Sequence, residues 1–212
     1  MFCSKKTTKP DTARYVTKVE KADLWLEVAY CGGTWRGQQT PKNTVVTVRC
    51  LRKANVHCLR SPWIELWTKQ CGNPSMPSGP WNGIKLSEIH ADRFFLGISN
   101  NLMEVIVDSG KVIWETKTGN TPIYHIFGVP QQDLLIVFNG YYGFEHEEKL
   151  GNIAAYDLNG HEIWRVQTPS EGDIFANAPC YEDGVLKSAS WDGFTCSIDV
   201  QNGNILDQKF TK

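Results

Sequence analysis

Glu145, His146 and Glu147 set an imidazole between two carboxylates, residue types that move protons or ligate a metal. Neighbours in a turn point in different directions, so three consecutive residues do not by themselves make one site. A second set lies upstream, where His57-Cys58 with Cys31, Cys50 and Cys71 offers zinc-type ligands. Its spacing is irregular and lacks the close Cys-x-x-Cys pairs of a zinc ribbon or finger. Buried, unpaired thiols in a reducing compartment are the expectation for the cysteines. The chain contains no Gly-x-Ser-x-Gly elbow, no Gly-Lys-Ser/Thr phosphate loop and no His-Glu-x-x-His helix. No catalytic residue, metal or cofactor is therefore predicted.

A third arrangement is electrostatic. From Arg36 to Lys69 the chain interleaves Arg49, Arg52, Lys53 and Arg60 with Trp35, Trp63 and Trp67. Single-stranded nucleic-acid binders use this combination for phosphate charge and base stacking. Half-buried strands also turn Trp inward and Arg outward, and no recognised nucleic-acid motif is present. Packing with a solvated basic face is the expectation for 36–69, with nucleic-acid binding as an alternative. Residues 1–86 carry a net charge of +9 and residues 87–212 a net charge of −10. Opposite signs imply halves that face each other or that meet different partners.

The elements that must position these residues emerge from a repeat. Residues 92–114, 133–164 and 183–207 each read as strand, turn, strand, Asp, Gly turn and final strand, starting about 41 and 50 residues apart. Apolar and polar residues alternate around Asn-Asn, Asp-Gly, Ser-Gly or Asn-Gly pairs, which tolerate the positive φ angles of tight hairpins. Each copy is an antiparallel meander. A further strand before each, at 84–90, 122–129 and 174–181, completes three four-stranded sheets. With 41% apolar and 21% charged residues, the composition is that of an ordinary globular protein and excludes disordered and fibrous classes.

The segments Val107-Asp108-Ser109-Gly110-Lys111-Val112-Ile113-Trp114 and Tyr156-Asp157-Leu158-Asn159-Gly160-His161-Glu162-Ile163-Trp164 resemble the quinoprotein-type β-propeller repeat, whose hallmark is an Asp, a Gly turn and a Trp four residues after that Gly. The third copy keeps Asp199 and Gly203 but has Asp207 in place of the Trp, and so looks like a terminal or degenerate blade. The resemblance implies a partial β-propeller of about three blades. In full-size relatives it also implies a quinone held in a closed ring with acidic calcium ligands and, often, vicinal cysteines. Three blades cannot enclose such a site, and no adjacent Cys pair exists. Asp108, Asp157 and Asp199 are expected to cap their turns, and Trp114 and Trp164 to lie flat between neighbouring blades.

The expected organisation is therefore all-β in two parts. Residues 1–80 are expected to form a basic region rich in Cys and Trp, with a polar, disordered start, strands at 24–30, 44–51 and 63–68, and a Pro/Gly linker at 72–80. That region is read as a small β domain or an irregular extension, and residues 81–212 as the repeats. Lys5, Lys6 and Lys9 have no apolar stretch behind them, so neither a secretory signal nor a spanning helix is expected, and the location is read as cytoplasmic.

The middle copy breaks its hairpin with an insertion at 139–151 where its siblings turn in two residues. Extra length without a structural need points to function. Tyr141, Tyr142 and Phe144 are anchors of the kind protein interfaces favour, and Glu145, Glu147 and Glu148 suit a basic partner. The leading reading is a non-catalytic protein-binding module, in one version an immunity-type inhibitor of a basic toxin. The alternatives are a homodimer that completes a propeller ring and nucleic-acid binding through 36–69.

Overall fold

The computed structural model describes residues 14–21, 24–31, 45–53, 63–71, 84–90, 92–98, 100–140 and 150–211, with backbone alone at 14–21, 28–31, 45–46, 63, 71, 84–90 and 150. These residues form the strands β1 (Arg14–Lys21), β2 (Leu24–Cys31), β3 (Val45–Lys53), β4 (Trp63–Cys71), β5 (Ile84–His90), β6 (Arg93–Ile98), β7 (Asn101–Ile106) and β8 (Val112–Lys117). The second half continues with β9 (Ile123–Val129), β10 (Leu134–Asn139), β11 (Leu150–Asp157), β12 (Glu162–Gln167), β13 (Cys180–Glu182), β14 (Val185–Ala189), β15 (Phe194–Asp199) and β16 (Ile205–Phe210). Four four-stranded antiparallel sheets result, and in each the spatial order of strands is their order along the chain.

The expectation of three sheets needs one correction. The N-terminal region is neither an irregular extension nor a different fold: β1 to β4 repeat the same meander, giving a fourth sheet at the front of the series. The strand β1 was not anticipated, and the linker at 72–80 lies outside the described residues. The last sheet departs in the other direction. Where a strand is expected over 174–181, only Cys180–Glu182 pairs as one, preceded by a single bridge from Phe175 to Ser190. Pro179 brings no N–H, and Asn177 substitutes for ladder bonds by accepting from Ala189 N at 2.8 Å and Ser188 Oγ at 2.8 Å.

The sheets are held face to face by three apolar clusters among the described residues, one at each junction. Leu24, Leu26, Val48 and Cys50 of the first sheet meet Phe94, Leu96, Ile98, Met103 and Val105 of the second. Phe95 and Leu102 of the second meet Leu135, Val137, Ala154 and Tyr156 of the third, with Ile123 and Ile126 of β9 between them. Ile136, Phe138, Ile153, Ala155, Trp164 and Val166 of the third meet Leu186, Cys196 and Ile198 of the fourth. Strand residues alternate between faces, so the middle sheets must be apolar at nearly every position. The burial of Leu135, Ile136, Val137 and Phe138 in succession meets that demand.

A second device repeats at each junction. Trp67, Trp114 and Trp164 lie on Gly110, Gly160 and Gly203 of the following sheet, and their indole N–H groups donate to the carbonyls of Val107 at 2.5 Å, Leu158 at 2.9 Å and Val200 at 3.0 Å. A Cβ on Gly160 would fall 2.6 Å from Trp114 Cε3, so the indole can rest there only because the turn has no side chain. The first sheet escapes sequence recognition for the same reason. A glycine in this turn serves the Trp of the sheet before it, and residues 54–62, which join β3 to β4, contain none.

Candidate functional site

A meander sends its connections to two ends. At one end lie the turns between its first two and its last two strands. At the other lie the middle turn and the crossing to the next sheet. In the second to fourth sheets the first end is tight, and the Trp–Gly contacts close it. Asp157 Oδ1 accepts from the N–H groups of Asn159 and His161, both at 2.8 Å, and Asp199 Oδ1 accepts from Gln201 N at 2.8 Å. The Asp157 carboxyl sits below its usual range: partial burial works against this, but the His161 N–H and ring and the Asn159 N–H outweigh it. Asp108 is placed differently, receiving Arg52 Nη2 of the first sheet at 2.7 Å in an exposed ion pair. Asp183-Gly184, with φ of 50° and 83°, makes the two-residue hairpin between β13 and β14.

The other end holds the long connections, including 140–149. Tyr141, Tyr142, Phe144, Glu145, His146, Glu147 and Glu148 lie outside the described residues, but both feet of their loop are defined. Asn139 is buried, and its Nδ2 donates to Thr118 Oγ1 and to the Thr121 carbonyl, both at 2.9 Å. Gly140 N donates to the Pro122 carbonyl at 2.7 Å. On the far side Asn152, also buried, donates from Nδ2 to the carbonyls of Asn139 and Phe175 at 3.0 Å each and accepts from Phe175 N at 3.1 Å. The strand ends that flank this loop are therefore pinned to the crossings on both sides. Sequence reasoning missed this pair, although an Asn that ends one apolar strand, as Asn139 does, or lies within the next, as Asn152 does, is itself a signal, since strands disfavour it.

Beside that base, the crossing from the third to the fourth sheet folds against the turn between β14 and β15. Trp191 N donates to the Ile174 carbonyl at 3.0 Å, Asp192 N to Asp173 Oδ1 at 3.1 Å and Ser170 Oγ to Asp192 Oδ2 at 3.1 Å. Gly193 accepts from Thr211 N at 2.8 Å, which brings Phe210 alongside, and Phe210 meets Phe194 edge to face at a centroid distance of 5.5 Å.

The described members of the sets that suggested metal or nucleic-acid chemistry have roles within the fold. Cys50 is buried against Leu26 and Trp67, and burial pushes its thiol up to about 11, which makes it a poor ligand at neutral pH. Cys31 and Cys71 end strands β2 and β4, and His57 and Cys58 lie outside the described residues. Among the described residues no three His, Cys, Asp or Glu side chains stand together as a metal site. The described residues thus offer no carboxylate cluster that fits the calcium ion accompanying a quinone in full-size propellers. Trp67 is spent on Gly110, where it also stacks on Phe94, while Arg49 pairs with Glu65 at 2.8 Å and Arg52 with Asp108. Trp35, Arg36 and Arg60 lie outside the described residues. No helix among the described residues is long and apolar enough to cross a membrane.

Comparison with known proteins places the fold. A family model described as a domain of unknown function (DUF7957) matches residues 120–210, the stretch that holds the third and fourth sheets. No curated protein matches the chain. Among solved structures the chain is similar to BamB from Moraxella catarrhalis, at 14% identity over 95% of this chain and 51% of that one, with a TM-score of 0.52. It is also similar to the Cps50 (Swd1) β-propeller domain of Myceliophteria thermophila, at 11% identity over 94% of this chain and 59% of that one, with a TM-score of 0.53. A europium-containing methanol dehydrogenase matches at 12% identity over 82% of this chain and 41% of its own, with a TM-score of 0.56. The chain therefore spans between two fifths and three fifths of these proteins. The fold is propeller-like and its four sheets are blades. The likeness is to propellers as a class, while the quinoprotein repeat in particular rests on the Asp-Gly-Trp spacing.

Proposed function

We propose that this chain is a non-catalytic protein-binding module that meets its partner through the loop end of the arc. The observation that carries this reading is the pinned base of the 140–149 loop, with Asn139 and Asn152 buried and hydrogen-bonded to the crossings on either side. The residues that bound the insertion on each side are fixed to the neighbouring crossings, which suits the base of a contact surface. Tyr141, Tyr142 and Phe144 supply the anchors, and Glu145, Glu147 and Glu148 favour a basic partner. One concrete version is an immunity-type protein that neutralises a cationic toxin in the cytoplasm, where an acidic decoy speeds capture.

The test is affinity capture from native cells, at low and at high salt, with the parent chain and with a Tyr141→Ala, Tyr142→Ala, Phe144→Ala variant. A basic protein retained by the parent and lost by the folded variant is the expected result. Equal retention by both would remove the loop from the interface. Completion of a ring by a second copy is the competing reading, favoured by the span of about half of a BamB chain and opposed by the polar outer faces of the terminal blades. Solution mass separates the two, since a binding module stays monomeric without its partner. The basic 36–69 segment is the weaker alternative, because Arg49, Arg52 and Trp67 already have partners within the fold.

A further inference from the structure

We infer that Asn159 deamidates spontaneously, and that the isoaspartate formed there unseats Trp114 from Gly160 and loosens the junction between the second and third blades. The inference is independent of the binding reading above. The chain has four Asn-Gly pairs, at 82–83, 139–140, 159–160 and 202–203, and the first lies outside the described residues. An Asn followed by Gly is the setting in which this chemistry runs fastest, because a residue without a Cβ leaves its own N–H unshielded beside the preceding side-chain carbonyl. The structure ranks the other three pairs. Asn139 is buried, its Nδ2 is held by Thr118 Oγ1 and the Thr121 carbonyl, and Gly140 N is engaged at 2.7 Å. Asn202 is exposed, but its Nδ2 donates to Asp199 Oδ2 and its Oδ1 accepts from Asn204 N, both at 2.9 Å, while Gly203 N donates to the Asp199 carbonyl at 2.8 Å. Asn159 is also exposed, and its side chain makes no hydrogen bond among the described residues. Gly160 N donates to the Asp157 carbonyl at 3.1 Å, the longest of the three glycine contacts. Asn159 is thus the one whose amide turns onto the next nitrogen without first breaking a side-chain hydrogen bond.

Solvent hydroxide takes the Gly160 N–H proton, the nitrogen attacks Asn159 Cγ, and the new C–N bond closes a five-membered succinimide. The Cγ–Nδ2 bond breaks, and Nδ2 leaves as ammonia with a proton returned by water. A second water opens the ring at one of its two carbonyls. Cleavage at Cγ leaves aspartate, whereas cleavage at the backbone carbon leaves isoaspartate, whose main chain runs through Cβ and Cγ. The net reaction consumes one water and releases one ammonia. The isoaspartate adds one carbon to the main chain between the two points that hold Trp114. On one side its Nε1 donates to the Leu158 carbonyl at 2.9 Å, and on the other its ring lies where a Cβ on Gly160 would stand 2.6 Å from Cε3. The same indole meets Phe95 at a centroid distance of 6.0 Å beside the buried cluster of that junction. A seat with so little clearance does not absorb an extra backbone atom. The aspartate product adds a charge and leaves the backbone in register.

The experiment incubates the folded full chain at mildly alkaline pH, with a portion unfolded in urea as the reference, and follows amide-to-acid conversion at each Asn by peptide mapping with mass spectrometry that separates the two isomers. In the folded chain, conversion at 159 should run at least about tenfold faster than at 202 or 139, the factor that one broken hydrogen bond adds to a barrier, and isoaspartate should be among the products. In urea the pairs should react at comparable rates, because only the fold tells them apart. Conversion at 202 or 139 as fast as at 159 in the folded chain, or none at 159 while the unfolded chain converts, overturns the inference. The second measurement is thermal melting of the purified isoaspartyl form beside an Asn159→Asp variant, which carries the same charge on an ordinary backbone. The isoaspartyl form should melt below the parent and the variant close to it. An isoaspartyl form that melts with the parent, or a variant that melts as low as the isoaspartyl form, overturns the claim that the lengthened backbone unseats Trp114.

Discussion

The third and fourth blades are built on one plan and differ on one face. Leu134 pairs with Asp157 as Val185 pairs with Asp199, which aligns the two sheets residue by residue. On the face turned back toward the preceding blade, Leu135, Ala154 and Tyr156 correspond to Leu186, Cys196 and Ile198, and all six are buried. On the forward face, Ile136, Phe138, Ile153, Ala155 and Trp164 correspond to Lys187, Ala189, Thr195, Ser197 and Asp207. Lys187 pairs with Glu182 at 2.6 Å and Lys209 with Asp207 on that face. The first blade shows the mirror of this: the face away from its neighbour carries Arg49 paired with Glu65 and near Glu27. A repeat in such an array is thus defined by what its neighbour demands, and a terminal face is made polar as a cap.

The strongest test of this comparison exchanges the two residues that mark it. Trp164→Ala should lower stability by about 3–5 kcal/mol, because a nearly buried indole leaves a void between the last two blades. Asp207→Trp at the equivalent position should change stability by no more than about 0.5 kcal/mol, since that face has no neighbour to receive the ring. Urea unfolding of both variants measures the contrast. Equal effects would mean that the forward face of the fourth blade is covered in the free protein.

A smaller effect separates the conformational and steric roles of the turn glycines. Gly160 and Gly184 have nearly the same φ, 85° and 83°, but a Cβ on Gly160 would meet Trp114 whereas one on Gly184 would meet nothing within 4 Å. Gly184→Ala should cost about 1–2 kcal/mol from the left-handed backbone alone. Gly160→Ala should cost at least about 2 kcal/mol more, as expected of overpacking where the indole has no room to retreat. Matching melting temperatures for the two variants would refute the claim that the turn exists to seat the tryptophan.

A third expected effect is a pH dependence shared by the outer blades. Burial pushes the thiols of Cys50 and Cys196 from 9.0 up to about 11. A raised folded-state pKa gives a stabilisation that is complete below about pH 9 and is lost as pH climbs toward about 11, because the unfolded chain releases protons that the folded chain keeps. Stability should therefore fall between about pH 9 and pH 11, and less steeply in a Cys196→Ala variant. Denaturant midpoints across that range decide it, and an unchanged slope in the variant would assign the loss to other groups.

The three later blades were legible because their turns obey local rules. Asp-Gly and Asn-Gly pairs between alternating strands can do little else, and the Trp four residues past the glycine marks the final strand. The first blade was illegible because its identity depends on Trp67, whose glycine lies in another blade some forty residues on. Trp67 next to Arg49 and Arg52 reads as a nucleic-acid surface in one dimension and as an inter-blade contact in three. The loop end was half legible: the 139–151 insertion stood out by its length, whereas the contact of Phe194 with Phe210 followed only from the pairing of β15 with β16.

The sequence by itself determined most of the strands, the tight turns and the all-β class, though neither β1 nor the short β13, because alternation and positive-φ turn residues act within a few positions of one another. It also carried the signs of the two charge halves. The tertiary structure alone decided how many blades there are, which faces are capped and which connections share an end. Those depend on side chains from separate repeats meeting across a junction, and neither the spacing nor the composition of one repeat contains that information.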